Sequence, residues 1–250
     1  GLGDVYKRQL PVCLVAMTID PELQSAHAAL VQKFDAVKGA TSNDNNALAS
    51  IGSQLAVLKV MLTERDILYP QQTDVQQHKD ALVLTREVLE IGALWSIRVQ
   101  DTSSFDRYWN QLKPFYLDLV HALPLSKNYE PIVGLSLLRS LSSNSIASFH
   151  IALESLPMEL VRDSPYIQHP VLLERWLMEG SYSNVWRERE NVPLEEYRFF
   201  VNILMVTIRH EIASCEEKAY DTLPLNDVAT LLFLDSPVSY THLTLPTSEI

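Results

Sequence analysis

The side chains in this chain that could do chemistry stand in spacings that fall short of a site. His210-Glu211 opens the HExxH pattern, which sets two zinc-binding imidazoles one helical turn apart, but Ser214 occupies the place of the second ligand. No HxH with a partnering acid replaces it. Gly134-Leu135-Ser136-Leu137-Leu138 lacks the closing glycine that makes the sharp strand-to-helix turn of a nucleophile elbow. A GxxxxGK[ST] phosphate loop is absent. Cys13 and Cys215 are the only cysteines and form no CxxC pair, so neither a zinc knuckle nor a disulfide framework is available. Cys215 lies on a strongly helical stretch, Ile208–Tyr220, and reads as a structural thiol on the core face. The histidines at 27, 78, 121, 150, 169 and 242 have no ligand-like spacing. Glu195-Glu196 and Glu216-Glu217 read as solvated helix faces or as first-turn acids that complement the helix dipole. The expectation is no catalytic residue, no cofactor and no metal: a protein that is not an enzyme.

Composition narrows the class. Hydrophobic residues make up 47% of the 250 and charged residues 20%, enough to bury a sizeable core. The formal net charge of -11 argues against sequence-independent nucleic-acid binding, which needs clustered Lys and Arg. Seven glycines are too few for a sheet built on tight turns. No run reaches the roughly 20 apolar residues of a membrane-spanning helix. Leu10–Met17 is too short, and lacks the cleavage site, for a signal peptide. Thiol content and the missing span point to the cytoplasm and nucleus, with neither membrane nor small-molecule substrate as a partner.

The chain opens GLGDVYKRQ and closes PVSYTHLTLPTSEI, and both stretches have the texture of translated adaptor sequence. Residues 1–16 and 237–250 are therefore expected to lie outside the fold, with Met17 as a native start. Between them the period is helical. Asp20-Pro21-Glu22 combines an N-cap, a first-turn proline and an early acid. Leu23, Ala26, Leu30, Phe34 and Val37 then recur at spacings of three and four up to Gly39. A second helix carries Leu48, Ile51, Leu55, Leu58 and Leu62 and stops near Tyr69-Pro70. Asp74 caps a third bearing Leu82, Leu89, Ala93 and Ile97. Further helices are expected at Ser104–Val120, Tyr129–Leu141, Ser145–Leu156, Pro170–Glu179, Ser181–Glu190, Glu195–Ala219 and Leu225–Leu234. No segment alternates with period two, so the class is all-α.

A weak internal repeat runs through these helices. Asp101-Thr-Ser-Ser-Phe105, Asn144-Ser-Ile-Ala-Ser-Phe149 and Gly180-Ser-Tyr-Ser-Asn-Val185 each set a polar or glycine turn before an aromatic or branched residue one helical turn in. Glu188 interrupts the apolar face of the third copy. Helical hairpins of this kind bury their apolar faces by stacking; an irregular helical bundle is the other reading of the same pattern.

Two stretches are specific enough for a resemblance. Thr85–Ile97 (TREVLEIGALWSI) is followed by Phe105-Asp-Arg-Tyr108 and Gln111-Leu-Lys113, and Tyr166–Val185 reads YIQHPVLLERWLMEGSYSNV. With Phe149-His150, Leu153-Glu154, Leu156-Pro157 and the run from Thr207 to Tyr220, the chain from Gln54 to Asp235 resembles the small PCI-domain subunits of the 26S proteasome lid. The resemblance implies stacked TPR-like helical hairpins followed by a winged helix, and a structural role with no chemistry of its own. The implied partners are other proteasome lid subunits, especially a neighbouring PCI subunit. The implied divisions are an N-terminal hairpin over 17–73, helical repeats over 74–206 and a partial winged helix over 207–236. In the family a third helix, a β-wing and a tail helix follow; here the likeness stops at Asp235-Ser236, so the winged helix is expected to be truncated. Leu223, Leu231, Leu232 and Phe233 are then expected to lack their packing partners.

Trp95, Tyr108, Trp109 and Phe115 are expected to pack between hairpins, and Gly180 to end its helix in a left-handed cap. Tyr166, His169, Glu179, Tyr182, Tyr220, Leu231 and Phe233 are the candidate residues for hairpin packing or a partner interface. Two alternatives stand beside the lid reading: a scaffold subunit of a related PCI complex (the signalosome or translation initiation factor three), and a hydrolase whose site follows no motif.

Overall fold

The computed structural model describes residues 21–39, 45–65, 67–68, 79–120, 122–220, 222 and 224–233. The expected caps Asp20 and Asp74, the leader over 1–16 and the tail over 237–250 lie outside the described residues. Among the described residues every regular element is a helix. In chain order they are α1 (Pro21–Gly39), α2 (Asn45–Glu64), α3 (Lys79–Arg98), α4 (Thr102–Leu117), α5 (Tyr129–Ser142), α6 (Ile146–Glu154), α7 (Met158–Asp163), α8 (Pro165–Met178), α9 (Tyr182–Glu188), α10 (Glu195–Ala219) and α11 (Leu225–Leu231). The chain divides into two compact units at Leu125/Ser126. The expected division at 206/207 falls inside α10, whose 25 residues run unbroken.

In the first unit α1 packs on α2 and α3, α2 on α3, and α3 on α4. The stripe predicted for α2 is buried at all five positions, Leu48, Ile51, Leu55, Leu58 and Leu62. Asn46–Glu64 is long and apolar enough to cross a membrane on length and composition alone, contrary to the expectation that no segment reaches that length. Its Leu and Ile stripe is spent inside the unit, the ordinary behaviour of a core helix. Trp95 joins α3 to α2: its indole Nε1 donates to the Leu48 carbonyl at 2.9 Å, and Gly52 lets the ring lie against the α2 backbone. Tyr108 of α4 uses Gly92 of α3 in the same way, and the Lys59 ammonium sits 3.7 Å over its ring. Burial, with Arg107 nearby, lowers the Lys59 ammonium to about 8.

In the second unit α5 is central, with α6, α8 and α10 packed around it, and α7 and α9 packed on α8. α7 is an element the periodicity missed, because six residues complete fewer than two turns. α8 begins at Pro165, five residues before the predicted start, and Pro170 stands inside it. Cys215 is exposed, contrary to its expected place on the core face. The buried residues of α10 end at Ile208, and the helix continues past its neighbours.

The internal repeat is a repeated turn. At Gln100, Asn144 and Gly180 the backbone adopts positive φ (63°, 54° and 70°). Each of these residues donates to the carbonyl three positions back, and the next residue donates to the carbonyl five back, which is the Schellman pattern. The residue after the turn, Asp101, Ser145 or Ser181, occupies the N-cap of the following helix. Four positions on, Phe105, Phe149 and Val185 are each 0% exposed. Asp101 is the strongest of the three caps: its Oδ1 accepts from the Ser103 and Ser104 amides at 3.0 and 3.2 Å. Hydrogen bonds from Ser104 and Ser103 hold its carboxyl at about 2.

Gly180 is the one glycine among the three turn residues, and a Cβ there would meet nothing within 4 Å. Replacing it with valine is therefore expected to cost only the left-handed backbone penalty, about 1–2 kcal/mol. Thermal unfolding of Gly180→Val checks this, and an unchanged midpoint would refute the cap.

Candidate functional site

α5, α8 and α10 meet at a point too tight for a side chain. A Cβ on Gly134 would collide with the Tyr197 hydroxyl and with the backbone carbonyl oxygen of Tyr166, so only glycine lets α5 and α8 come this close. The phenol is there because of Pro170. A proline inside a helix offers no N–H to the carbonyl four residues back, which in α8 is that of Tyr166. The single O–H of Tyr197, from α10, is shared between that orphaned carbonyl at 3.2 Å and the Pro131 carbonyl at 3.0 Å. Tyr197 is 0% exposed. Burial first, then Tyr166, Glu130 and Glu196, push its phenol far above the usual range, so it remains a donor.

His169 stands edge-on to Tyr197 with ring centroids 6.0 Å apart. It is 7% exposed, and neither ring nitrogen has a hydrogen-bond partner among the described residues. Burial lowers its pKa, opposed by the carboxylate of Glu188. An imidazole with a lower pKa folded than unfolded contributes stability that is complete above 6.5 and is lost as pH falls toward the depressed value. The expected outcome is an unfolding midpoint that falls as pH drops below 6.5, with a shallower fall in His169→Gln. An identical slope in that variant would show that His169 does not titrate with unfolding. His27, lowered by burial against the opposing pull of Glu87, adds a residual slope of the same sign from the first unit.

Beside His169 lies a cleft of about 580 Å³, lined by Val161, Pro165, Val171, Leu172, Val192 and Pro193 and by the polar Gln168, Arg175, Glu188 and Asn191. The polar groups are engaged with one another, with Glu179 outside the cleft, or with backbone. Arg175 Nε donates to Glu179 Oε1 at 2.8 Å, Asn191 Nδ2 to Glu188 Oε1 at 2.9 Å, and Gln168 Nε2 to the Arg162 carbonyl. No nucleophile–base pair converges there, and no cluster of His, Cys, Asp or Glu able to hold a metal occurs among the described residues.

The remaining candidates lie elsewhere in the second unit. Glu179 faces solvent in its pair with Arg175, and Tyr182 is half-buried in the first turn of α9. Tyr220 ends α10, 55% exposed, and Leu231 ends α11, 43% exposed. Leu232 and Phe233 are not left bare as expected. Leu232 is 2% exposed, and Phe233 stacks on Trp186 of α9 with centroids 5.4 Å and planes 17° apart. The Leu223 side chain lies outside the described set. Arg189 and Arg209 lie 4.3 and 4.9 Å from the Trp186 ring centre. Arg209 also donates from Nε to the Leu232 carbonyl at 3.1 Å and from Nη2 to the Phe233 carbonyl at 3.4 Å. Sequence reasoning missed Trp186 and Arg189, although an aromatic and an arginine three apart on one helix face were there to be read.

Comparison with known proteins adds an independent line. The family model described as "CSN8/PSMD8/EIF3K family" matches residues 127–245, reaching into the segment set apart from 237 onward. The chain is 36% identical over 219 residues to the 26S proteasome non-ATPase regulatory subunit 8 homolog A of Arabidopsis thaliana, covering 87% of this chain and 79% of that protein. It is 35% identical over 200 residues to the 26S proteasome regulatory subunit RPN12 of Saccharomyces cerevisiae, covering 77% and 72%. To the corresponding rpn12 of Schizosaccharomyces pombe it is 37% identical over 184 residues, covering 73% and 65%.

Proposed function

Because the chain belongs to the family of 26S proteasome non-ATPase regulatory subunit 8, we propose that it is a non-catalytic structural subunit of the proteasome's regulatory particle lid. In this reading it supports ubiquitin-dependent protein degradation in the cytoplasm and nucleus through contacts with other lid subunits, foremost a neighbouring PCI subunit. The observation that carries the proposal is 36% identity sustained over 87% of the chain.

The fate of the family-like stretches supports it. In Thr85–Ile97, Arg86 and Glu90 pair inside the first unit, Gly92 seats Tyr108, and Trp95 ties α3 to α2. In Tyr166–Val185, Pro170 and the Tyr166 carbonyl engage Tyr197, and Gly180 forms the turn into α9. Both stretches hold helices together, in keeping with a structural role. Tyr220 and Leu231, with Ile151 and Met158, are among the exposed apolar side chains that a partner would cover in this reading.

The test is an affinity capture of the tagged full chain from a eukaryotic extract, read by mass spectrometry. Recovery of proteasome regulatory-particle subunits above an unrelated bait is expected. Recovery of signalosome or initiation-factor-three subunits in their place, or of no regulatory-particle subunit, would overturn the assignment.

A further inference from the structure

The last described helix cannot hold itself. α11 has seven residues, well under the roughly 12–15 that an isolated helix needs in water. Extended backbone stands on either side of the connection from α10, at Tyr220 (φ -128°, ψ 130°) and at Pro224 (φ -60°, ψ 139°). Among the described residues no other helix packs along α11 as α8 and α10 pack along α5. Its far end is strained: Phe233 sits at φ 52°, a left-handed conformation that an aromatic residue adopts only at a cost.

Among the described residues, contacts with Trp186 and Arg209 offset that strain. Leu232 is buried, Phe233 lies flat on Trp186, and Arg209 reaches across to the carbonyls of Leu232 and Phe233. The Leu232 carbonyl stands at the C-cap of α11 and that of Phe233 just beyond it, at the end where the helix dipole is negative and a guanidinium is favoured. The same guanidinium rests over the Trp186 ring, so one side chain of the long α10 holds both halves of the contact. We propose that α11 with Leu232 and Phe233 is a strap that closes over Trp186 and opens as a unit, with Arg209 as its latch. Opening bares one face of the Trp186 ring and the seat of Leu232 while the α5–α8–α10 junction stays closed.

Hydrogen–deuterium exchange of the full chain, followed peptide by peptide, tests this. In the wild type the amides of 225–233 are expected to exchange faster than those of 195–208. Arg209→Gln should raise exchange in 225–233 about tenfold or more, the loss of charge-assisted bonds to two carbonyls. Protection across α5, α8 and the first half of α10 should not change. Arg209→Lys, which keeps the charge but loses the planar fork, should fall between the two. Phe233→Ala should give the same pattern from the strap's own side, and it decides the matter if Arg209→Gln does not fold. Unchanged exchange in 225–233 in both variants would overturn the latch. Wild-type protection of 225–233 equal to that of 195–208, or loosening of α10 together with α11, would overturn the strap as a separate unit.

Discussion

Glu90→Ala is expected to lower the unfolding free energy by about 3–5 kcal/mol, the loss typical of removing one partner from a buried ion pair. Glu90 is 1% exposed and Arg86, one turn back on α3, is 5% exposed. Their closest approach is 3.5 Å from Arg86 Nε to Glu90 Oε1. The same carboxylate oxygen accepts from the Tyr116 hydroxyl of α4 at 2.9 Å, and Arg86 Nη1 donates to the Pro124 carbonyl at 2.6 Å. Without Glu90 the guanidinium stays buried and charged with no carboxylate beside it, and Tyr116 loses that acceptor. Glu90→Gln keeps an acceptor for Tyr116 and should lose less. The paired replacement Arg86→Met with Glu90→Leu removes both charges at similar volume and should recover most of the loss, since apolar replacements of buried ion pairs are often neutral. Denaturant unfolding of the four proteins measures the set. A loss below about 1 kcal/mol in Glu90→Ala would place the pair in the class of surface bridges.

Gly134→Ala is expected to cost roughly 3 kcal/mol or more, through overpacking and a lost hydrogen bond together. The sign is the informative part. In an exposed helix interior the same change stabilises by up to about 1 kcal/mol, because alanine is the better helix former. Here the new methyl would meet the Tyr166 carbonyl, which belongs to the backbone of α8 and cannot turn away, and the Tyr197 hydroxyl that bonds it. Tyr197→Phe removes the hydroxyl from the clash but orphans the carbonyl, so the double variant should recover only part of the loss. A melting midpoint at or above the wild type in Gly134→Ala would show that α5 and α8 can separate freely, and would remove the close crossing from the account.

The helical class and most of the elements were legible because they rest on local information. Glu195–Ala219 matches α10 end to end, and the five-residue stripe of α2 is buried at every position. The misreadings share one cause. Pro170 looked like a helix start because a first-turn proline is favoured and an interior one is costly. What makes it tolerable is the Tyr197 hydroxyl, 31 residues from the carbonyl it rescues. Cys215 looked buried because periodicity says which face of a helix is apolar but not where the neighbouring helix ends. At the candidate site, Tyr166 and His169 were found through a family-like stretch, while Tyr197 carries no local mark at all. Phe233 was expected bare because its seat is Trp186, which belongs to another helix, as does the Arg209 that meets the Leu232 carbonyl.

The turn that recurs at Gln100, Asn144 and Gly180 has a bearing on how the chain is made. Each copy joins two helices through bonds that span only a few residues, and each delivers its buried Phe or Val one turn later. Such hairpins keep contacts close in sequence, the regime in which chains fold in microseconds to milliseconds. Because the first compact unit ends at Leu125, all of α1–α4 can emerge and close while the second unit is still being synthesised. A ribosome paused late in this message would already carry a folded half.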